Sequence, residues 1–238
     1  MTPSMDVSGL MLSILAFDPA SQALGIALVS SSVAVGSRCP YLAPGRAVVT
    51  SQGFTNLRMG ALALDLVACG LTAPEVMDAL RKHDRWMDFR QIAIVSAAGD
   101  VQAHTGPGTK GWSGHLVQDG LAVLGNGLPD AAPLQALFDA FRAEPGRTLP
   151  ERLLGALEHA RTVVGRRRAM VSSSLLVRAP DEAGSIDLRV DLARAPPAEG
   201  GCAVADLRRL YDTFHPLAEL YVQRSRTPDP AQIPESIP

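Results

Sequence analysis

Ser13 is the hydroxyl whose position in this 238-residue chain invites chemistry. It is the polar residue at the start of an otherwise apolar expected strand, Leu12–Phe17. A serine hydroxyl is a weak nucleophile until a base lies within hydrogen-bond reach. One way of supplying the base is the G-x-S-x-G elbow of the α/β-hydrolases, and that pattern occurs nowhere in the chain. The other is a residue at a free chain terminus, whose own α-amine, with an unperturbed pKa of roughly 7.7–8.0, takes the proton. Ser13 at the mouth of a central strand suits that second geometry; the plainer alternative is a strand serine satisfied by backbone groups. An attacked carbonyl also needs neutral donors for its developing charge. Gln52 and Asn56 bracket a strand-to-helix turn, and Asn126 lies in Gly125-Asn126-Gly127 at the end of a short strand. These three amides are the candidate oxyanion holders, and the first two can equally serve as caps.

Other patterns carry less. Gly106-Pro107-Gly108-Thr109-Lys110-Gly111 has the letters of a dinucleotide fingerprint, but Trp112-Ser113-Gly114-His115 continues the glycine-rich stretch where a helix N-terminus is required. His83, His104, His115, His159 and His215 have no metal-ligand spacing. Neither a cofactor nor a metal is therefore expected. Arg166-Arg167-Arg168 reads as a solvated helix end, with an anion grip as its alternative.

The elements that must position these residues begin with Leu12–Gly36. Leu12–Phe17 is apolar on both alternating faces, so it must be covered on both sides. Asp18-Pro19-Ala20-Ser21-Gln22 supplies a turn, and Ala23–Ser30 returns as a second buried strand closed by Ser31-Ser32. Arg38–Gly45, with Pro40 and Pro44, reads as a loop, and Ala47–Ser51 as a third strand. Helices follow over about Leu57–Cys69 and from a capping box, Thr72-Ala73-Pro74-Glu75, to about Lys82. A hairpin over Gln91–Ala97 and Val101–Thr105, an irregular Gly106–Gly120 and a short strand Leu121–Leu124 come next. Helices over Asp130–Ala143 and Leu149–Val164, a strand pair over Met170–Arg178 and Ile186–Leu192, and one final helix, Ala203–Arg224, complete the chain. Strands and helices both come in pairs without βαβ alternation, which favours a layered α+β architecture over a parallel sheet. The expected organisation is an extension (1–10), a single domain (11–225) and a proline-rich tail (226–238).

Composition narrows the function classes. A hydrophobic fraction of 47% with 19% charged residues belongs to an ordinary folded chain. The net charge of −2 gives no electrostatic case for nucleic acid or an anionic membrane surface. No apolar run approaches the ~20 residues of a membrane helix. Cys39, Cys69 and Cys202 are odd in number and widely spaced, as in a reducing compartment. The N-terminus carries Asp6 and no basic residue before Arg38, a poor signal peptide, so the expected location is cytoplasmic.

Several of these segments together resemble a bacterial and archaeal family, domain of unknown function 1028. They are Ser13-Ile14-Leu15-Ala16-Phe17-Asp18-Pro19, Leu24-Gly25-Ile26-Ala27, Ser31-Ser32, Pro40-Tyr41, Gln52, Thr55-Asn56, Thr105-Gly106, Trp112-Ser113-Gly114-His115 and Gly125-Asn126. The resemblance extends over about Met11 to Asp212. It implies an N-terminal-nucleophile (Ntn) hydrolase-like fold: a four-layer αββα sandwich, two antiparallel sheets face to face between helical layers. It implies no substrate. The family's usual opening places Thr directly after the initiating Met; here that position is Met11, followed by Leu12 and Ser13.

Two functions remain open on these grounds. In the first, an Ntn-type amide-bond hydrolase, Ser13 attacks, Gln52, Asn56 or Asn126 holds the oxyanion, and Ser31, Ser32, Thr105, Trp112 and His115 line the substrate pocket. In the second, a non-catalytic relative keeps the fold and pocket for small-molecule binding. A small molecule is the expected partner in both, and a second copy of the chain is the other partner the reading allows.

Overall fold

The computed structural model describes residues 9–165, 169–181 and 184–228. Met1–Ser8 of the expected extension, Arg166-Arg167-Arg168 and most of the proline-rich tail lie outside the described residues.

Strand β1 (Met11–Asp18) and strand β2 (Ala23–Ser30) pair antiparallel, from Met11 opposite Ser30 to Asp18 opposite Ala23. The turn closes on the Asp18 carboxylate, which accepts the Ser21 N–H and hydroxyl, while Gln22 takes a left-handed φ of 55°. On its other side β1 pairs with β8 (Leu121–Leu128), so it is central, as its double-sided apolar pattern requires. With β7 (Trp112–Gln118), β9 (Ser172–Arg178) and β10 (Ile186–Val190), these strands form a six-stranded antiparallel sheet in the order β10-β9-β2-β1-β8-β7. A second antiparallel sheet runs β3-β4-β5-β6, from β3 (Pro40–Ala43), β4 (Ala47–Gly53), β5 (Arg90–Ser96) and β6 (Val101–Thr105).

Side-chain parity assigns each face to a layer. Leu12 and Ile14 of β1 pack against Leu137, Leu153, Leu157 and Leu207, from helices α3 (Ala132–Ala143), α4 (Leu149–Val164) and α5 (Ala203–Phe214). Leu15, pointing the other way, joins Ile26, Val48 and Val95 between the two sheets. The outer face of the second sheet, with Val49, Ile92 and Ile94, meets Met59, Val76, Met77 and Leu80 of α1 (Met59–Ala68) and α2 (Ala73–His83). The fold is an α+β sandwich with αββα layering. Both expected capping boxes, Thr72 with Glu75 and Thr148 with Glu151, are formed.

Three segments depart from the sequence reading. Arg38–Gly45 contains strand β3, because Pro40 sits at the first position of an edge strand, where its missing N–H costs no ladder bond. Gly106–Gly120 contains β7, an edge strand with a register shift between Trp112 and Gly114; its half-exposed faces carry no apolar alternation to read. The single final helix is interrupted: α5 ends at Phe214, a 3-10 turn spans His215–Leu217, and α6 (Ala218–Arg226) resumes. Pro216 has no N–H to continue the ladder.

Gly60 fixes how α1 meets β3. A Cβ there would lie 1.9 Å from the Tyr41 ring, whose hydroxyl is held by the Leu57 carbonyl at 2.7 Å. Alanine in a helix interior ordinarily gains about 1 kcal/mol over glycine. Here Gly60→Ala is expected to destabilise by about 2 kcal/mol, the range of an overpacked core, as a lowered melting temperature. A raised melting temperature would contradict this packing.

Candidate functional site

The layer between the sheets is apolar at one end and polar at the other. Along β1 the inward-facing series runs from Leu15 to Ser13; along β8 it runs from Leu124 to Asn126. In the opposite sheet Val48 gives way to Thr50 and Gln52, and Val95 and Ala93 to Gln91, with Thr105 opposite Gln91. Ser13, Thr50, Gln52 and Gln91 are fully buried. Buried polar groups at this density must satisfy one another, and they do.

The network can be oriented from its backbone contacts outward. Gln91 Nε2 lies 3.0 Å from the Gly114 carbonyl and 2.9 Å from the Gly125 carbonyl, which can only accept, so this end of the amide must be the NH2 group. Gln91 Oε1 then accepts from Gln52 Nε2 at 2.6 Å and Asn126 Nδ2 at 2.9 Å. That turns Gln52 Oε1 toward Ser13, whose hydroxyl donates to it at 2.5 Å. At the other side Gln91 Nε2 also reaches Thr105 Oγ1 at 3.0 Å, and Thr105 Oγ1 lies 2.8 Å from His115 Nδ1. Burial, and secondarily the charge of His104, lower the His115 pKa and favour the neutral imidazole.

The structure thus joins Ser13, Gln52, Asn126, Thr105 and His115 in one network. Trp112 lies beside it: its ring packs on Gly114, whose carbonyl is a Gln91 acceptor. Gln91 itself is the member that the sequence reading missed. Its signal was present, since Gln91 shares period-2 parity with the inward-facing Ala93 and Val95.

Other candidates are engaged elsewhere. The Ser31 N–H and hydroxyl both go to the Leu10 carbonyl, at 2.9 and 3.4 Å, tying down the start of β1. Exposed Ser32 bonds Ser30 and Arg38. Asn56 gives its amide to Asp84 at 2.9 Å and accepts the Arg58 N–H at 3.1 Å. It therefore braces the β4–α1 connection rather than the inter-sheet network.

Ser13 also differs from its expected place at a strand mouth. It is the third residue of β1, because Leu10 and Leu12 are already buried in the helix-facing core and Met11 and Leu12 are paired on both sides. Within the described residues, its hydroxyl meets an amide oxygen and no titratable group.

Burial pushes the Asp84 carboxyl up. The Asn56 amide, the Trp86 N–H and the Arg90 guanidinium outweigh that and hold it below the usual carboxylate range. A depressed folded-state pKa contributes stability that is present above the unfolded value of about 3.9 and is lost as pH falls through the folded one. Asn56→Ala is therefore expected to shrink the loss of stability between neutral pH and about pH 3, read from urea midpoints. An unchanged acid profile would contradict this role.

Among the described residues, no three His, Cys, Asp or Glu side chains are placed to hold a metal ion. No helix of the described residues is long and apolar enough to cross a membrane.

Two antiparallel sheets packed face to face between helices, with a polar cluster at one end of their shared layer, define an α+β sandwich of the αββα kind. The chain belongs to a family of unknown function, DUF1028, which matches it over residues 12–200. Its structure is similar to the crystal structure of protein SPO2555 from Silicibacter pomeroyi, of the same family, with a TM-score of 0.78 and 27% identity over 86% of this chain and 89% of that one. It is also similar to Anbu (ancestral beta-subunit) from Yersinia bercovieri, with a TM-score of 0.40 and 11% identity over 90% of this chain and 97% of that one. No curated protein matches the chain.

Proposed function

We propose that the intact chain binds a small uncharged polar molecule at the polar end of the inter-sheet layer and does not carry out Ntn-type amide hydrolysis. The observation that carries this is the direction of the Ser13 proton. It points to the Gln52 amide oxygen, which does not act as a base near neutral pH. The Ser13 nitrogen, meanwhile, is a peptide nitrogen inside a strand paired on both sides. Releasing an α-amine there requires loss of Leu10, Met11 and Leu12, which the core holds. Among the described residues the network contains amides, hydroxyls and an imidazole but no carboxylate, ammonium or guanidinium, which favours an uncharged ligand. Trp112, 37% exposed beside it, offers an apolar face to such a molecule.

Intact mass with N-terminal sequencing is expected to show Leu12 still joined to Ser13, in a protein without amidase activity. A dominant species beginning at Ser13, whose amidase activity is abolished by Ser13→Ala, would overturn the reading and restore the hydrolase. Binding is read in a Trp86→Phe variant, which leaves Trp112 as the single indole. Small amides and polyols are expected to shift its emission; a panel without effect would remove the binding site.

A further inference from the structure

The network ends on a pair of side chains that binding alone does not require. Thr105 closes β6 and His115 lies in β7, so the pair bridges the adjacent edges of the two sheets. Unlike Ser13, both are half-buried rather than enclosed. Gln91 Nε2, oriented by the Gly114 and Gly125 carbonyls, also lies 3.0 Å from Thr105 Oγ1, which shares the two amide hydrogens with them. In the tautomer with its hydrogen on Nε2, His115 accepts the Thr105 proton at Nδ1, 2.8 Å away. Where the Ser13 proton faces an amide oxygen, the Thr105 hydroxyl lies beside an imidazole. The Gln91 NH2 group, 3.0 Å from Thr105 Oγ1, lies where it stabilises negative charge that develops there.

We propose that Thr105 and His115 form a hydroxyl–imidazole dyad that accepts the acyl group of a small activated ester. Thr105 Oγ1 attacks the ester carbonyl carbon and its proton passes to His115 Nδ1. The bond from that carbon to the leaving oxygen breaks, the leaving group takes the proton, and an ester on Thr105 remains. A water molecule deprotonated by His115 attacks that ester; the carboxylic acid departs and Thr105 recovers its proton. An ester suits the site better than an amide because an alkoxide or phenoxide leaves with less protonation than an amine. The dyad needs no free amine on Ser13, so it goes beyond the binding reading and stands or falls apart from it.

The neutral imidazole is the acting base, and burial together with His104, its titratable neighbour from β6, favours that form. The acylation rate is therefore expected to rise with pH and level off below about pH 6.5, the ordinary histidine value. The test is incubation of the full chain with p-nitrophenyl acetate, followed by intact mass and peptide mapping. One acetyl group on Thr105 is expected, retained in Thr105→Ser and absent in Thr105→Val. His115→Asn is expected to slow labelling on the order of 10²-fold, the lower range for general-base catalysis. Urea midpoints of the variants report folding, and if Thr105→Val does not fold, Thr105→Ser and His115→Asn still decide. No acetylation, acetylation at another side chain, or a rate indifferent to His115→Asn would overturn the proposal and leave the pair a tie between sheet edges.

Discussion

A chain beginning at Ser13 is expected not to fold. Three residues decide this: Leu10, Met11 and Leu12 are at most 6% exposed, and Leu12 is fully buried. Removing a buried leucine or methionine side chain from a core costs about 2–5 kcal/mol. Three together reach the whole stability of an ordinary domain, about 5–15 kcal/mol. The backbone loses more besides. Met11 faces Ser30 on one side and Asn126 on the other, Leu12 faces Val29 and Gly125, and the Ser31 N–H loses the Leu10 carbonyl. The expected result for a protein truncated before Ser13 is aggregation, or a circular dichroism spectrum without cooperative melting. A soluble, cooperatively melting product would show that the strand can give up its first turn of core, and it would reopen the route to a terminal nucleophile. The smaller change Leu12→Ala, which leaves the backbone intact, is expected to lower stability by about 3 kcal/mol.

Gln91→Leu is expected to be the most damaging single substitution in the polar network. Leucine matches the size of glutamine but offers nothing to the groups around it. Gln52 Nε2 and Asn126 Nδ2 lose their acceptor, and the Gly114 and Gly125 carbonyls lose their donor. Each buried polar group left unpaired costs about 1–3 kcal/mol, so with all four unpaired the loss is about 4 kcal/mol or more. Gln91→Glu is expected to do no better, because a carboxylate cannot donate to two carbonyls and would be charged in a buried site. Urea denaturation measures both. A loss below about 1 kcal/mol for Gln91→Leu would mean that the amides re-pair without it. The substitution also separates the two halves of the site: it removes the donor to Thr105 and the partner of Gln52, leaving Ser13 and His115 with no connection between them.

Much of the scaffold could be read along the chain because its signals are local. Leu12–Phe17 has apolar residues at both parities, which fits only a strand covered on both faces, and it lies at the centre of the larger sheet. Thr72-Ala73-Pro74-Glu75 and Thr148-Leu149-Pro150-Glu151 satisfy helix N-termini with residues three apart, so no distant contact is needed to find them. The strands that escaped were β3 and β7, both at sheet edges. An edge strand is held by one neighbour's ladder and need not bury either face, so it leaves little trace in hydrophobic pattern.

The site divides in the same way. Residue type and alternation alone determine that Ser13, Gln52, Gln91 and Asn126 interrupt apolar strands and share parity with inward-facing neighbours. They do not determine which of these meet. Ser13 and Gln52 are 39 residues apart, as are Gln52 and Gln91, and the sheets that carry them face each other only once the sandwich closes. Closure places the polar ends of both sheets together, turns Gln91 by means of two carbonyls, and so directs the Ser13 proton to an amide and sets the Thr105 hydroxyl beside an imidazole. The sequence by itself determined that hydroxyls and amides collect at one end of a doubly covered core. The tertiary structure alone decided which hydroxyl lies beside an imidazole, because the partners of each are brought together by no local pattern.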